Sequence, residues 1–261
     1  MSIEEMLDYI QKYNIESSVS LPKNISIHGF NLNLLHKRLN EARNAFLLLN
    51  DAKMYVDAAL IAGHVLEVCA TIYYIKSANN IEINARKYVA RSAVSTIFSI
   101  LEIDTSNLEN EIYKGLFEEC VRYLEKTGSL ILKGVGKDTD KEICNKKIIA
   151  QLRSKTSTNK EKRDLLKNSY EMPVISDILN CFVAGMQRQL QENQIENSLV
   201  LSQAVKLFYL TYCGYKHAGA AIYPEEISDE EIKIMEISPD IYVPTVFICL
   251  DMLSDKPVYI K

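Results

Sequence analysis

Tryptophan is missing from the 261 residues, and glycine (nine) and proline (six) are scarce. With so few backbone breakers, and with apolar residues recurring at three and four positions rather than in alternation, the chain reads as mostly helical. No C-x-x-C pair occurs among the six cysteines at 69, 120, 144, 181, 213 and 249. That spacing speaks against a disulfide framework or a structural zinc site and predicts reduced, packed thiols in a cytoplasmic protein. The opening Met1-Ser2-Ile3-Glu4-Glu5-Met6 is acidic where an export signal needs a basic region and an apolar core, so export is not expected. Also absent are the Gly-x-Ser-x-Gly elbow, the His-Glu-x-x-His zinc helix and the Gly-x-Gly-x-x-Gly dinucleotide fingerprint. The familiar hydrolase, metalloprotease and dehydrogenase routes therefore have no support. Gly134-Val135-Gly136-Lys137-Asp138-Thr139 imitates a phosphate-binding loop, but Ile131 stands where the first glycine belongs and Asp138 follows the lysine. An acidic residue at that point repels phosphate, and the segment is expected to be an ordinary loop.

What is present is 48% hydrophobic residues, enough for a sizeable core. Leu35, Leu39, Ala42, Phe46 and Leu49 make one stripe of a helix from Asn31 to about Asn50, with charged residues elsewhere. The run Ala58 to Ile75 is apolar nearly all round; His64 and Glu67 interrupt its middle, which predicts a central buried helix rather than a membrane span. Further helices are expected near 84–101, 107–127, 173–194 and 196–217, with two starts marked by Thr139/Glu142 and Ser228/Glu231 capping boxes. The stretch from Tyr242 to Leu253 is read as helix. Together these predict an all-α, multi-helix bundle of roughly eight to ten helices, one domain spanning 1–261 with its core at about 30–220.

Net charge is -4 and the pI is near 5.7, which argues against a wholesale basic surface. Its distribution is uneven. Residues 126–167 hold twelve Lys/Arg against five Asp/Glu, whereas 221–261 hold nine acidic residues and three lysines. We expect a basic polar hairpin at 126–167, able to meet phosphate, and an acidic C-terminal cap at 221–261. Such asymmetry also supports self-association or a protein partner.

Two segments concentrate the chemistry. In Ala62-Gly63-His64-Val65-Leu66-Glu67-Val68-Cys69 a histidine and a carboxylate stand three residues apart, sharing a face so that both reach one proton or one ligand. A di-metal site would need Glu-x-x-His steps from other helices, which suitable helices here lack; no metal and no cofactor are expected. In Tyr212-Cys213-Gly214-Tyr215-Lys216-His217-Ala218-Gly219 the histidine lies near a helix end, whose dipole favours imidazolium. His217 suits general acid-base work, Lys216 would stabilise an anion, and a tyrosine hydroxyl such as that of Tyr212 would position substrate. Tyr209 shares a face with Lys216 and joins His64 and Glu67 as a binding residue. Plain packing or capping by these same side chains is the structural alternative.

The pairing of an early helix carrying Ala58-Ala59-Leu60-Ile61-Ala62-Gly63-His64-Val65-Leu66-Glu67 with a late helix ending Leu210-Thr211-Tyr212-Cys213-Gly214-Tyr215-Lys216-His217-Ala218-Gly219 resembles bacterial proteins in or near the HEPN superfamily. That resemblance implies RNA binding or metal-independent RNA cleavage in defence or toxin biology, commonly by dimers whose late helices form one cleft. It carries over His217 and Glu67. One departure is clear: nuclease members place an arginine, then four to six residues, then the histidine, and in the corresponding places this chain has Leu210, Thr211 and Tyr212. Lys216, Arg91 or Arg188 would have to orient phosphate instead, and lysine lacks the planar fork that grips it bidentately. The competing expectations are a non-catalytic protein-interaction module and a helical small-molecule-binding protein.

Overall fold

Ser2 opens the first helix with a reciprocal cap, its hydroxyl accepting from the Glu5 amide while the Glu5 carboxylate accepts from the Ser2 amide. This helix, α1 (Ile3–Lys12), is followed in the computed structural model by α2 (Ile27–Asp51), α3 (Tyr55–Lys76), α4 (Ile81–Glu102), α5 (Glu111–Thr127), a 3₁₀ turn (Gly128–Ile131), α6 (Lys141–Arg153), α7 (Asn159–Ser169) and α8 (Ile175–Glu192). Residues 202–209 are helical, and α9 (Pro239–Asp251) closes the order. The structure describes residues 1–13, 27–77, 79–103, 111–134, 140–172, 174–192, 202–209, 212 and 238–254, with side chains in α2 from Leu32 onward. Among the described residues regular structure is helical throughout, apart from one antiparallel bridge between Leu132 and Tyr170. The all-α fold read from periodicity is what forms.

Where one domain with a core over about 30–220 was expected, contacts gather into two units, Met1–Ser77 with Ile175–Lys261, and Ala78–Val174. The second is thus inserted in the chain between α3 and α8.

In the first unit α3 is central, packed by α2, α8 and α9. By length and composition it could cross a membrane, yet two thirds of its most apolar window (67%) is buried by its neighbours. Gly63 lies within it because the ring of Tyr212 occupies the space a side chain would fill. The core runs past residue 220: Tyr242, Val243, Val246, Phe247, Cys249 and Leu250 of α9 are fully buried. Ser238 caps that helix and Pro239 sits in its first turn, where a missing N–H is harmless. Tyr9 of α1 donates to Asp251 at 2.7 Å and packs edge-on against Phe247; burial, then the Asp251 carboxylate, push its phenol far above the usual tyrosine range. The five described cysteines are free thiols, and burial raises Cys69 and Cys249 well above the ordinary thiol range.

α2 hides a histidine that periodicity alone does not single out. His36 is 8% exposed and its Nε2 is buried with no hydrogen-bond partner. Burial, and secondarily the Lys76 charge, hold its pKa down at about 4 against an ordinary 6.5. Between those values the unfolded chain binds a proton that the folded chain refuses, so stability rises with pH there. We expect wild-type stability in urea titrations to fall as pH drops from 6.5 towards 4, by up to about 3 kcal/mol from this group. His36→Leu should remove that increment of the slope; an identical slope in both proteins would refute the assignment.

The second unit packs α4 against α5, α7 and the 3₁₀ turn. Val94, Ile97, Val121, Leu124, Leu152 and Leu166 are fully buried at its centre. Inside this apolar cluster Tyr170 donates to Asn145 Oδ1 at 2.5 Å, while Asn145 Nδ2 donates to the carbonyls of Leu124 (2.9 Å) and Glu125 (3.3 Å). Gly128 leaves the room, since a Cβ there would lie 2.4 Å from Asn145 Oδ1. The α6 cap differs from the expected Thr139/Glu142 box. Asp140 is the N-cap, accepting from the Glu142 and Ile143 amides, and the Glu142 carboxylate accepts from Ser129 at 2.7 Å. A capping box does form at Thr158/Glu161, opening α7. Ser228 and Glu231 lie outside the described residues.

Candidate functional site

α3 presents His64 and Glu67 one turn apart because positions three residues apart on a helix share a face. The His64 imidazole Nδ1 stands 3.9 Å from Glu67 Oε2; the histidine side chain is 45% exposed and the carboxylate 19%. The imidazole is thus half-open beside a more sheltered carboxylate. Thr71 ties its hydroxyl back to the Glu67 carbonyl at 2.8 Å, one turn further along.

The late helical segment meets this face. Tyr209 donates to Glu67 Oε1 over a long 3.5 Å, and its ring lies 5.9 Å from that of Tyr212, tilted by 47°. Tyr212 is 6% exposed and its ring rests directly on Gly63: an added Cβ would lie 2.1 Å from Tyr212 Cδ2. His64, Glu67, Tyr209 and Tyr212 are thus brought to one place from positions nearly 150 residues apart. Lys216 and His217 lie outside the described residues.

The arginines considered as phosphate partners go elsewhere. Arg91, in the second unit, is paired with Glu171. Arg188 of α8 lines a cavity of about 410 Å³ with Tyr73, Lys76, Gln189, Glu192 and Ser254, beyond the C-terminal end of α3. Among the described residues no three His, Cys, Asp or Glu side chains converge as a metal site requires.

At 3.9 Å the pair of His64 and Glu67 is beyond hydrogen-bond reach, so Glu67 neighbours the imidazole without fixing its tautomer. Glu67 stands 3.9 Å from His64 and accepts from Tyr209 at 3.5 Å, so it lies between the two. Sequence reading proposed these residues but not the seat that joins them. A glycine inside an apolar helix was the available signal, since it marks close approach by another element. Compared with known protein families, characterised proteins and solved structures, the chain finds no match.

Proposed function

We propose that this is an HEPN-like helical protein of bacterial defence or toxin type, acting on RNA by binding and metal-independent cleavage. The observation that carries the reading is the seating of the late segment on α3, with Tyr212 against Gly63 and Tyr209 on Glu67. It brings the helix face carrying His64 and Glu67 against the segment whose sequence continues to Lys216 and His217. In this reading one histidine takes the proton from the 2′-hydroxyl as it attacks phosphorus, and another protonates the leaving 5′-oxygen. Lys216 offsets charge on the phosphorane, and no metal enters.

The test is cleavage of mixed cellular RNA in excess EDTA by wild-type protein and by His217→Ala, His64→Ala and Glu67→Gln, at matched folding by circular dichroism. Each histidine variant should lose about 10²-fold or more in rate. A DNA substrate should resist. Absence of cleavage by wild-type protein, or equal rates for all four, sinks the reading.

A corner of the first unit favours a second one, a non-catalytic protein-interaction module. Where α2 turns into α3, Leu48 (71%), Met54 (48%) and Val56 (55%) are exposed together. Such grouped apolar side chains mark protein contact surfaces, and this reading predicts that charged replacements there abolish cellular activity while His217→Ala does not.

A further inference from the structure

The charge imbalance read from the sequence divides between the two units. Residues 78–174 carry 17 Lys/Arg against 14 Asp/Glu, and the remainder carries 13 against 20. Within the positive unit α7 sorts its charges by face. Lys160, Arg163 and Lys167 stand at i, i+3 and i+7, one stripe about 10 Å long. Lys133 joins it by donating from Nζ to the Lys167 carbonyl at 2.9 Å. Asp164, four residues after Lys160, borders the stripe and lines a groove with Glu161, Lys162 and Gln151, Glu161 also being tied to Thr158 in the capping box. Glu171, which follows the bridge residue Tyr170, is paired with Arg91. None of Lys160, Arg163 or Lys167 takes part in an ion pair among the described residues.

We propose that this stripe is a docking surface for the phosphate backbone of single-stranded nucleic acid. Three cations outside any ion pair, against the single bordering carboxylate of Asp164, match a ligand whose charge repeats along a chain and whose counterions are released on contact. A membrane surface would call for apolar side chains beside the cations. The leucines of α7 instead turn inward, Leu166 fully buried and Leu165 packed on the core. Protein interfaces, in turn, are depleted of lysine at their centres. The surface reads charge and not sugar, so it stands apart from the cleavage reading and takes DNA as readily as RNA.

The experiment is fluorescence anisotropy of the full chain with labelled oligodeoxythymidylate of about twenty nucleotides, long enough for a single-strand site and lacking the 2′-hydroxyl that cleavage requires. Four phosphate contacts predict a log–log salt slope of about -3, an affinity loss of about fifty-fold between 50 and 200 mM salt. The triple variant Lys160→Gln, Arg163→Gln, Lys167→Gln should keep a slope of about -0.7, with binding correspondingly weak at 50 mM. The three single variants, each expected to lower the slope by about 0.7, decide the matter if the triple variant fails to fold. No binding by wild-type protein at 50 mM salt, or a slope untouched by the substitutions, overturns the proposal. So does stripe-dependent binding confined to phosphatidylserine vesicles, or to a second copy of the chain.

Discussion

Gly63→Ala should destabilise the protein by about 2–3 kcal/mol, although alanine is the better helix former by about 1 kcal/mol. Local propensity and tertiary packing oppose each other here, and the distances decide. A Cβ at 63 would lie 2.1, 2.3 and 2.5 Å from Cδ2, Cγ and Cε2 of Tyr212. Those atoms are the near edge of the ring and not the tip of a long flexible side chain, so rotation cannot clear them without moving the backbone that carries them. Close-packed interiors absorb such an intrusion by shifting whole elements. Tyr209 would shift as well and leave Glu67, so the proposed RNA cleavage should fall together with stability. Tyr212→Ala removes the obstacle while opening a cavity of its own. In a double-mutant cycle by urea denaturation, Gly63→Ala should therefore cost far less in the Tyr212→Ala background, with a coupling above about 1 kcal/mol. A Gly63→Ala protein more stable than wild type would show that α3 and the late segment do not meet as described.

Asn145→Ala is expected to remove about 2–4 kcal/mol from the second unit. The reason lies in what the amide is bonded to. Leu124 and Glu125 fall in the last turn of α5, where carbonyls have run out of intrahelical amides. Asn145, only 1% exposed, reaches over from α6 to satisfy both, and its oxygen receives the buried Tyr170 hydroxyl. Deleting it strands three polar groups among leucine, isoleucine and valine side chains, where water cannot replace it. Tyr170→Phe removes one of those bonds and should cost less, about 1–2 kcal/mol, leaving Asn145 Oδ1 beside Gly128. Hydrogen exchange should localise the damage: amides of α5, α6 and α7 exchange faster, while those of α3 and α9 keep their protection. Uniform acceleration would mean that the two units unfold as one.

Much of the architecture was legible in short windows of sequence. The central helix expected over Ala58 to Ile75 is α3 (Tyr55–Lys76), and the stretch from Tyr242 to Leu253 read as helix falls in α9 (Pro239–Asp251) and the turn after it. Both follow from the spacing of apolar residues, which acts within a few residues. The site was legible as a set of residue types. His64, Glu67, Tyr209 and Tyr212 stood out because titratable and hydroxyl groups interrupt apolar helices, where desolvation makes them unfavourable without partners. His36 escaped the same reasoning. It stands between Leu34-Leu35 and Lys37-Arg38, at the border of the apolar stripe, and only the packing of α2 buries it.

By itself, then, the sequence determined that this chain is helical, where most of its helices run, and which side chains are chemically able to move a proton. Those properties arise from interactions a few residues long. Tertiary structure alone decided that Tyr212 rests on Gly63, that Tyr209 reaches Glu67, that Asn145 closes the end of α5 and that residues 78–174 build their own core. Each of these depends on which faces meet after the chain has folded back on itself, and helical periodicity marks a face as apolar without naming the face that covers it.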